Sequence, residues 1–264
     1  MTNSENYLEV NRKLWDERTK VHVQSDFYDL PGFRNGITSL QNIELDILPK
    51  DLSGKDLLHL QCHFGLDTMS LSRMGASSTG VDFSPAAVKQ ATELAEELDL
   101  DATFICEDIL SFEPKKQYDI VFSSYGTVGW LPDIKGWAKT VNAALKPGGK
   151  FYFIEFHPIM WMLDDDFEKF HYPYSSREVI AGSSESTYTG SELASEQSWI
   201  TWNYGFGAFI GSLLETGLKL EYFKEYDHSP YNIHDRMVET DNGEYQIKGF
   251  EGMFPLTYSL IATK

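Results

Sequence analysis

The chain has 264 residues, which suits one elaborated domain, and its 42% hydrophobic residues are enough for a large core. A formal charge of −18 argues against a nucleic-acid partner, because phosphate groups would be repelled, but it is compatible with a cationic ligand. Two cysteines, Cys62 and Cys106, fit a reducing compartment better than a disulfide framework. The first 20 residues lack the apolar run of a secretory signal, and no stretch reaches the length of a membrane span. We therefore expect a cytoplasmic protein without a membrane segment.

Residues 1–50 are predicted to form a helical cover over the rest of the domain. Apolar side chains lie near one face of a helix over residues 4–24. Two Gly-containing turn pairs predict a loop over residues 29–35, and a second helix spans residues 38–48. Trp15, His22 and Tyr28 in this region either touch a ligand or anchor the helix on the core.

Residues 57–82 read as strand, tight turn, helix, strand and acid. The apolar run 57–60 is short enough for a buried parallel strand, and a turn over 61–65 leads into a helix with apolar positions from Leu66 to Met74. The second strand ends at Asp82. Such a unit points a helix N-terminus at a ligand and places a carboxylate for ribose hydroxyls.

This unit resembles the class I S-adenosylmethionine-dependent methyltransferases. Their loop usually reads Asp-x-Gly-x-Gly-x-Gly, whereas this chain has His59-Leu60-Gln61-Cys62-His63-Phe64-Gly65 and keeps the last glycine alone. The loop is similar to that of a bacterial subgroup of small-molecule methyltransferases with a His-Leu-Gln-Cys-His loop. Leu-Lys-Pro-Gly-Gly at 145–149, between a helix and an aromatic strand, is a second family signal. The resemblance covers roughly residues 40–155 well and the C-terminal end more loosely.

The predicted fold is α/β, a Rossmann-like, mostly parallel seven-stranded sheet with helices on both faces and an antiparallel last strand. Ser84 is a natural N-cap and Pro85 suits the first helical position. Residues 158–202 are predicted to be an inserted lid with short antiparallel strands, within a single domain over 1–264. Further helices are expected at 86–98, 133–145 and 203–216, and strands at 103–106, 118–124, 150–155, 218–226 and 256–262.

The resemblance implies S-adenosyl-L-methionine as the methyl donor. In the family an acid after the second strand binds ribose, which is Asp82 here, and an acid after the third binds the adenine amino group, which is Asp108. His59 replaces the usual first-strand Asp and cannot supply its carboxylate. The predicted cofactor-binding residues are His59, Gln61, Cys62, His63, Gly65, Asp82, Phe83, Ser84, Asp108, Ile109, Ser123 and Ser124.

Methyl transfer requires alignment of donor and acceptor, and a base only where the acceptor loses a proton. His157, just past the fifth strand, is the candidate base; its alternative role is to cap the loop that follows. Tyr125, Trp130, Trp161 and Tyr204 either line an acceptor pocket or belong to the core. The aspartates at 164–166 are expected to be a solvated turn, so no metal site is predicted.

The leading hypothesis is a methyltransferase that acts on a small-molecule acceptor through O, N or S. A ribose-binding acid would also serve an NAD(P)-dependent oxidoreductase, which is the second hypothesis. A protein that binds the cofactor without transferring methyl is the third, because the loop has lost glycines that allow positive φ and close backbone approach.

Overall fold

A computed structural model describes residues 6–164, 166–176 and 178–264. The helices are α1 (Tyr7–His22), α2 (Leu30–Arg34), α3 (Asn42–Ile47), α4 (Leu66–Arg73), α5 (Pro85–Glu97), α6 (Ile134–Ala144) and α7 (Phe206–Glu215). The strands are β1 (Asp56–Leu60), β2 (Ser77–Asp82), β3 (Ala102–Cys106), β4 (Tyr118–Ser124), β5 (Leu145–Phe156), β6 (Ile180–Ser186), β7 (Glu192–Thr201), β8 (Lys219–Tyr226), β9 (Met237–Glu239), β10 (Tyr245–Ile247) and β11 (Thr257–Thr263).

Within the described residues, seven strands form one sheet in the order β3-β2-β1-β4-β5-β11-β8. β1 to β5 pair in parallel, and β11 runs antiparallel to both β5 and β8. After β1 the chain adds β2 and β3 on one side of that strand, and it then crosses over to add β4 on the other side. This reversal creates the crevice beyond the carboxyl ends of β1 and β4 in which open α/β sheets bind ligands. The predicted fold class, including the antiparallel last strand, is confirmed.

Both faces of the sheet are covered by helices, as the near-continuous apolar runs of the central strands predict. Phe151 and Phe153 of β5 pack on one face against Trp137 of α6 and Phe209 of α7. The intervening residues of β5 point to the other face, into an apolar cluster with Ile43 of α3. Because buried side chains alternate between two helical layers, the central strands are apolar on both sides.

Within the segment 29–35 that was predicted to be a loop, residues Leu30–Arg34 form a short helix, α2, so this prediction is wrong. The Asp29 side chain accepts a hydrogen bond from the amide of Gly32 at 3.0 Å and caps this helix. Pro31 lies in its first turn, where the missing N–H has no helical partner in any case. The Pro-Gly pair therefore starts a helix here. Ser84 caps α5 as predicted, since its hydroxyl accepts from the Ala87 amide at 3.1 Å.

Two antiparallel hairpins extend the carboxyl edge of the sheet. β6 and β7 pair within the segment expected to contain short antiparallel strands. β9 and β10 pair in a region that the sequence pattern did not resolve. In the described ranges no helix combines the length and the apolar character that crossing a membrane requires.

Candidate cofactor and acceptor site

A cavity of about 680 Å³ lies beyond the carboxyl ends of β1, β2 and β4, and we call it the central cavity. Its floor is formed by the β1–α4 loop and by the residues that follow β2 and β4. Its walls come from α1, the β6–β7 hairpin and residues 231–234. Phe, Tyr and Trp side chains make up a large share of its lining, and charged and polar groups converge on it. This combination is typical of a small-molecule site.

The β1–α4 loop keeps a glycine-like backbone without its usual glycines. Gln61 and His63 both have positive φ, +57° and +51°, and Gly65 follows at +80°. For side-chain-bearing residues this conformation is strained, so neighbouring bonds must hold it. The Gln61 side chain donates to the Thr127 carbonyl at 2.8 Å, and the His63 amide donates to Asp82 at 2.8 Å.

Gly65 ends this loop because no side chain fits there. A Cβ on Gly65 would lie 2.5 Å from the Phe104 ring. The last glycine is therefore required both by its conformation and by the space around it.

Asp82 ends β2 at the cavity wall and organises the crevice. One carboxylate oxygen accepts from the His63 amide, and the other accepts from the Ser84 amide at 2.9 Å. Burial raises the pKa of Asp82 to about 6, against the opposing effect of these amides. Each oxygen keeps a lone pair, so the carboxylate can accept two further hydrogen bonds from vicinal hydroxyls.

Glu155 of β5 pins the loop that follows β4. Its buried carboxylate accepts from the amides of Gly126, Thr127 and Phe156, the last two at 2.7 and 2.8 Å. Tyr125, at the start of this loop, is held at φ +40°. These hydrogen bonds to Glu155 hold the strained backbone of Tyr125 in place, and such strained residues are common at ligand sites.

Arg18 of α1 is a buried cation that lines the central cavity. Its guanidinium lies 5.0 Å from the ring centre of Trp15 and 5.4 Å from that of Trp130. Its Nε is buried without a hydrogen-bond partner in the part of the chain that the structure describes. Burial lowers the pKa of Arg18, but arginine does not lose its proton in proteins. The group is therefore set up to receive an anion.

The histidines beside Arg18 are neutral. His22 Nδ1 and His63 Nε2 lie 3.0 Å apart and share one hydrogen bond. Burial is the largest cause that lowers the pKa of His22 to about 2 and that of His63 to about 3. His59 is similar, with a pKa lowered to about 3 by burial, and its Nδ1 lies 2.8 Å from the Thr68 hydroxyl.

Two acidic groups lie beside the β1–α4 unit of the cavity. Asp67 accepts hydrogen bonds from the hydroxyls of Ser39 at 2.7 Å and Ser124 at 3.0 Å. Behind it, the fully buried Glu44 accepts from the Tyr125 hydroxyl at 2.7 Å. Burial raises the pKa of Asp67 and raises that of Glu44 to about 8.

The structure brings most of the predicted cofactor residues to the central cavity. His59, Gln61, Cys62, His63, Gly65, Asp82, Phe83 and Ser124 line it. Ser84 lies just behind Asp82, and Ser123 is buried with its hydroxyl 3.2 Å from that of Thr127. Asp108 lies outside the lining and accepts from the Tyr7 hydroxyl at 3.3 Å, while Ile109 packs in the main core.

The predicted acceptor residues Tyr125, Trp130, Trp161 and Tyr204 all line the central cavity. Sequence reasoning did not single out Arg18, Asp67 or Glu44, nor Tyr231, which lies in the segment before β9. The signal for Arg18 was available, because it is one turn from Trp15 on the helix expected to cover the site.

His157 does not line the cavity. Its Nδ1 accepts from the Ile159 amide at 3.1 Å, so its Nε2 carries the proton and donates to Glu225 at 2.9 Å. Both ring nitrogens are occupied, and the geometry favours the capping role over that of a base. Over the described ranges no cluster of three or more His, Cys, Asp or Glu side chains could hold a metal ion; Asp165 lies outside them.

Residues 57–149 match the family model described as a methyltransferase domain. The ubiquinone biosynthesis O-methyltransferase of Coxiella burnetii is 33% identical over 103 residues, which are 39% of this chain and 44% of that protein. The chain thus spans less than half the length of this curated relative.

Solved structures extend the similarity beyond this segment. A methyltransferase from Mesorhizobium loti, described as S-adenosylmethionine-dependent, superposes with a TM-score of 0.58 at 18% identity, covering 88% of this chain and all of that one. One from Clostridium acetobutylicum gives 0.56 at 16% identity, covering 92% and 94% of the two chains. Residues 57–149 are therefore similar to methyltransferase domains, and the chain shares its fold with solved structures described as S-adenosylmethionine-dependent methyltransferases.

Proposed function

We propose that the protein transfers a methyl group from S-adenosylmethionine to a small-molecule acceptor in the central cavity. The observation that carries this proposal is that Asp82 and Arg18 line the same cavity. A carboxylate with two free lone pairs suits a ribose, and an unpaired buried guanidinium suits a carboxylate. A nucleoside that bears an amino acid presents both groups.

Arg18 holds the amino-acid carboxylate in this proposal. Its Nε has no hydrogen-bond partner among the described side chains, and a buried donor left unmatched is unfavourable until an anion arrives. Asp67, near the start of α4, faces the same cavity and suits the ammonium group of the same amino acid.

The bound donor supplies a methyl group that is already activated on a positively charged sulfur. The protein therefore has to orient the acceptor and exclude water. The aromatic walls do both, since Trp130, Trp161 and Tyr204 surround the space beside the β4 loop. No side chain of the cavity needs to act as a nucleophile.

The segment 158–202 is proposed to be the acceptor lid. Tyr188 in the β6–β7 turn and Trp199 of β7 line the cavity. The Tyr188 hydroxyl lies 2.5 Å from that of Tyr28, so the tip of the hairpin is tied to the segment that follows α1. Replacing the hairpin should therefore change the choice of acceptor more than cofactor affinity.

A hydroxyl oxygen is the acceptor atom that we favour, because the curated relative from Coxiella burnetii is an O-methyltransferase. We further propose a cytoplasmic protein whose partner is a small molecule. Both cysteines are free thiols, which suits a reducing compartment, and the charge of −18 opposes nucleic-acid binding.

Calorimetry and turnover together test the proposal. S-adenosylhomocysteine and NADP are titrated into the protein, and S-adenosylmethionine is then incubated with hydroxyl, amine and thiol probes. We expect binding of S-adenosylhomocysteine alone and a mass gain of one methyl group on one probe class. Binding of NADP in preference to S-adenosylhomocysteine would indicate an oxidoreductase instead.

A further inference from the structure

Tyr125 is a cavity-lining residue whose position is fixed by several contacts. It directly follows β4, at the point where the strand order reverses, and it lines the central cavity. Its amide donates to the Ile154 carbonyl at 2.8 Å, and Glu155 fixes the two residues after it. The ring is wedged between Phe156, at 5.5 Å, and Tyr231, at 5.1 Å between ring centres. The phenol is therefore held rigidly in a strained loop.

The Tyr125 hydroxyl connects the cavity to a buried carboxyl group outside the cavity lining. It donates to Glu44 Oε2 at 2.7 Å, while Glu44 is fully buried in the first turn of α3 and does not line the cavity. The other oxygen, Oε1, has no hydrogen-bond partner among the described residues. A buried carboxyl oxygen without a hydrogen-bond partner is costly in either protonation state, so a structural role alone does not account for it.

We propose that Tyr125 and Glu44 form a proton relay that accepts the proton of a hydroxyl acceptor during methyl transfer. This inference rests on the proposed function. Tyr125 is the catalytic residue because it touches the acceptor, and Glu44 acts through it as a positioning residue and final proton acceptor.

The step balances without any further reactant. The hydroxyl oxygen of the acceptor bonds to the methyl carbon as the bond from that carbon to sulfur breaks, and the bonding pair stays on sulfur. The hydroxyl proton passes to Tyr125 Oη, whose own proton passes to Glu44 Oε2. The sulfur loses its positive charge and Glu44 loses its negative charge, so the net charge is unchanged.

The surroundings of Glu44 raise its pKa toward the working pH. Burial is the main cause that raises its pKa to about 8, and the neighbouring Asp67 adds to the rise. The titratable groups that face the pair are Asp67 from α4 and Tyr231 from the segment before β9. A base with a pKa near the working pH takes up a proton and releases it again with little loss. The relay should therefore become active as the pH rises through about 8.

The inference predicts a defined pattern of pH profiles. Methylation of catechol and of 4-hydroxybenzoate is followed from pH 6 to 9.5. We expect kcat to rise through about pH 8 in the wild type, and Glu44→Gln and Tyr125→Phe to lower it by about 100-fold or more and to abolish the rise. Asp67→Asn should move the rise to lower pH, because it removes the neighbouring negative charge.

Tyr226→Phe is the matched control. The Tyr226 hydroxyl lies 3.0 Å from that of Ser259 in β11, it is buried, and it does not line the cavity. This variant loses one phenolic hydrogen bond and should keep both kcat and the pH profile. An infrared titration of the unliganded protein adds a readout besides turnover. The protonated carboxyl band of Glu44 should disappear as the pH rises through about 8 and be absent in Glu44→Gln.

The outcomes separate this inference from the proposed function. If the two hydroxyl probes are not methylated, or if Glu44→Gln keeps the rise of kcat, the relay is wrong. Intact binding of S-adenosylhomocysteine together with methylation of an amine or thiol probe would leave the proposed function standing in that case. If the wild-type protein does not bind S-adenosylhomocysteine, both the relay and the proposed function are wrong.

Discussion

Replacing Arg18 with Met should weaken cofactor binding and stabilise the unliganded protein. The two effects have opposite signs because the guanidinium is useful only when an anion is present. Loss of a charge-assisted hydrogen bond to a carboxylate costs about 1.5–3 kcal/mol, or about 10- to 150-fold in Kd.

The effect on stability follows from two opposing terms. Removing a buried charge in favour of an apolar side chain stabilises by about 1–4 kcal/mol. The lost contacts of Arg18 with the Trp15 and Trp130 rings offset this by about 0.5–2 kcal/mol. We expect a net gain of about 1 kcal/mol, which raises Tm by about 2–4 °C for a chain of this size.

The assay combines calorimetry with thermal unfolding. S-adenosylhomocysteine and 5′-methylthioadenosine, which lacks the amino acid, are titrated into both proteins. Only the first should bind more weakly to Arg18→Met. Arg34→Met is the control, because Arg34 makes an exposed ion pair with Glu97 at 2.8 Å and should change neither affinity. Equal loss of affinity for both ligands, or unchanged affinity for S-adenosylhomocysteine, would refute the assignment of Arg18 to the carboxylate.

Three further predictions concern the ribose acid, the lid and pH. Asp82→Ala should weaken S-adenosylhomocysteine binding by about 1–3 kcal/mol in calorimetry, and an unchanged Kd would remove Asp82 from the site. Asn11→Ala should speed proteolysis of the β6–β7 hairpin, because the Asn11 side chain bonds the Ile200 carbonyl at 2.8 Å and its amide at 2.9 Å; equal cleavage rates would contradict this. The free energy of unfolding should fall as the pH rises from about 4.5 to about 8, because folded Glu44 keeps a proton that the unfolded chain has released. Urea titrations should show a fall of at most about 5 kcal/mol from this group, absent in Glu44→Gln; an equal fall in that variant would refute the assignment.

The order of strands and helices over residues 57–149 could be predicted from the sequence, because the apolar pattern there follows burial closely. β1 is buried from Leu57 to Leu60 because both faces of that strand are covered, and three of these four residues are leucine. Ser84 marks the start of α5 with a side chain that can cap it. The loop after β1 was harder to interpret, because the sequence does not reveal that Gln61 and His63 take the conformation of the missing glycines.

The remaining parts of the site depend on side-chain direction, which sequence position does not give. His157 follows β5 at the correct edge, yet its ring turns back to Ile159 and Glu225. Glu44 lies in a helix of mixed apolar and acidic residues and reads as solvent-exposed, although the fold buries it completely. Residues 237–247 form a hairpin from strands of three residues, which are too short to produce a clear alternation.

α1 is hydrogen-bonded to two separate parts of the molecule beside the central cavity, the residues that follow β2 and strand β7. Arg12 donates to the Phe83 carbonyl at 3.1 Å, Asp16 accepts from Ser84 and from the Ala86 amide, and Asn11 holds β7. One helix is therefore hydrogen-bonded both to the residues that follow Asp82 and to the hairpin proposed as the acceptor lid. Under the proposed function, donor binding that orders α1 would favour acceptor binding, and thermodynamic reciprocity then requires the acceptor to tighten the donor by the same factor.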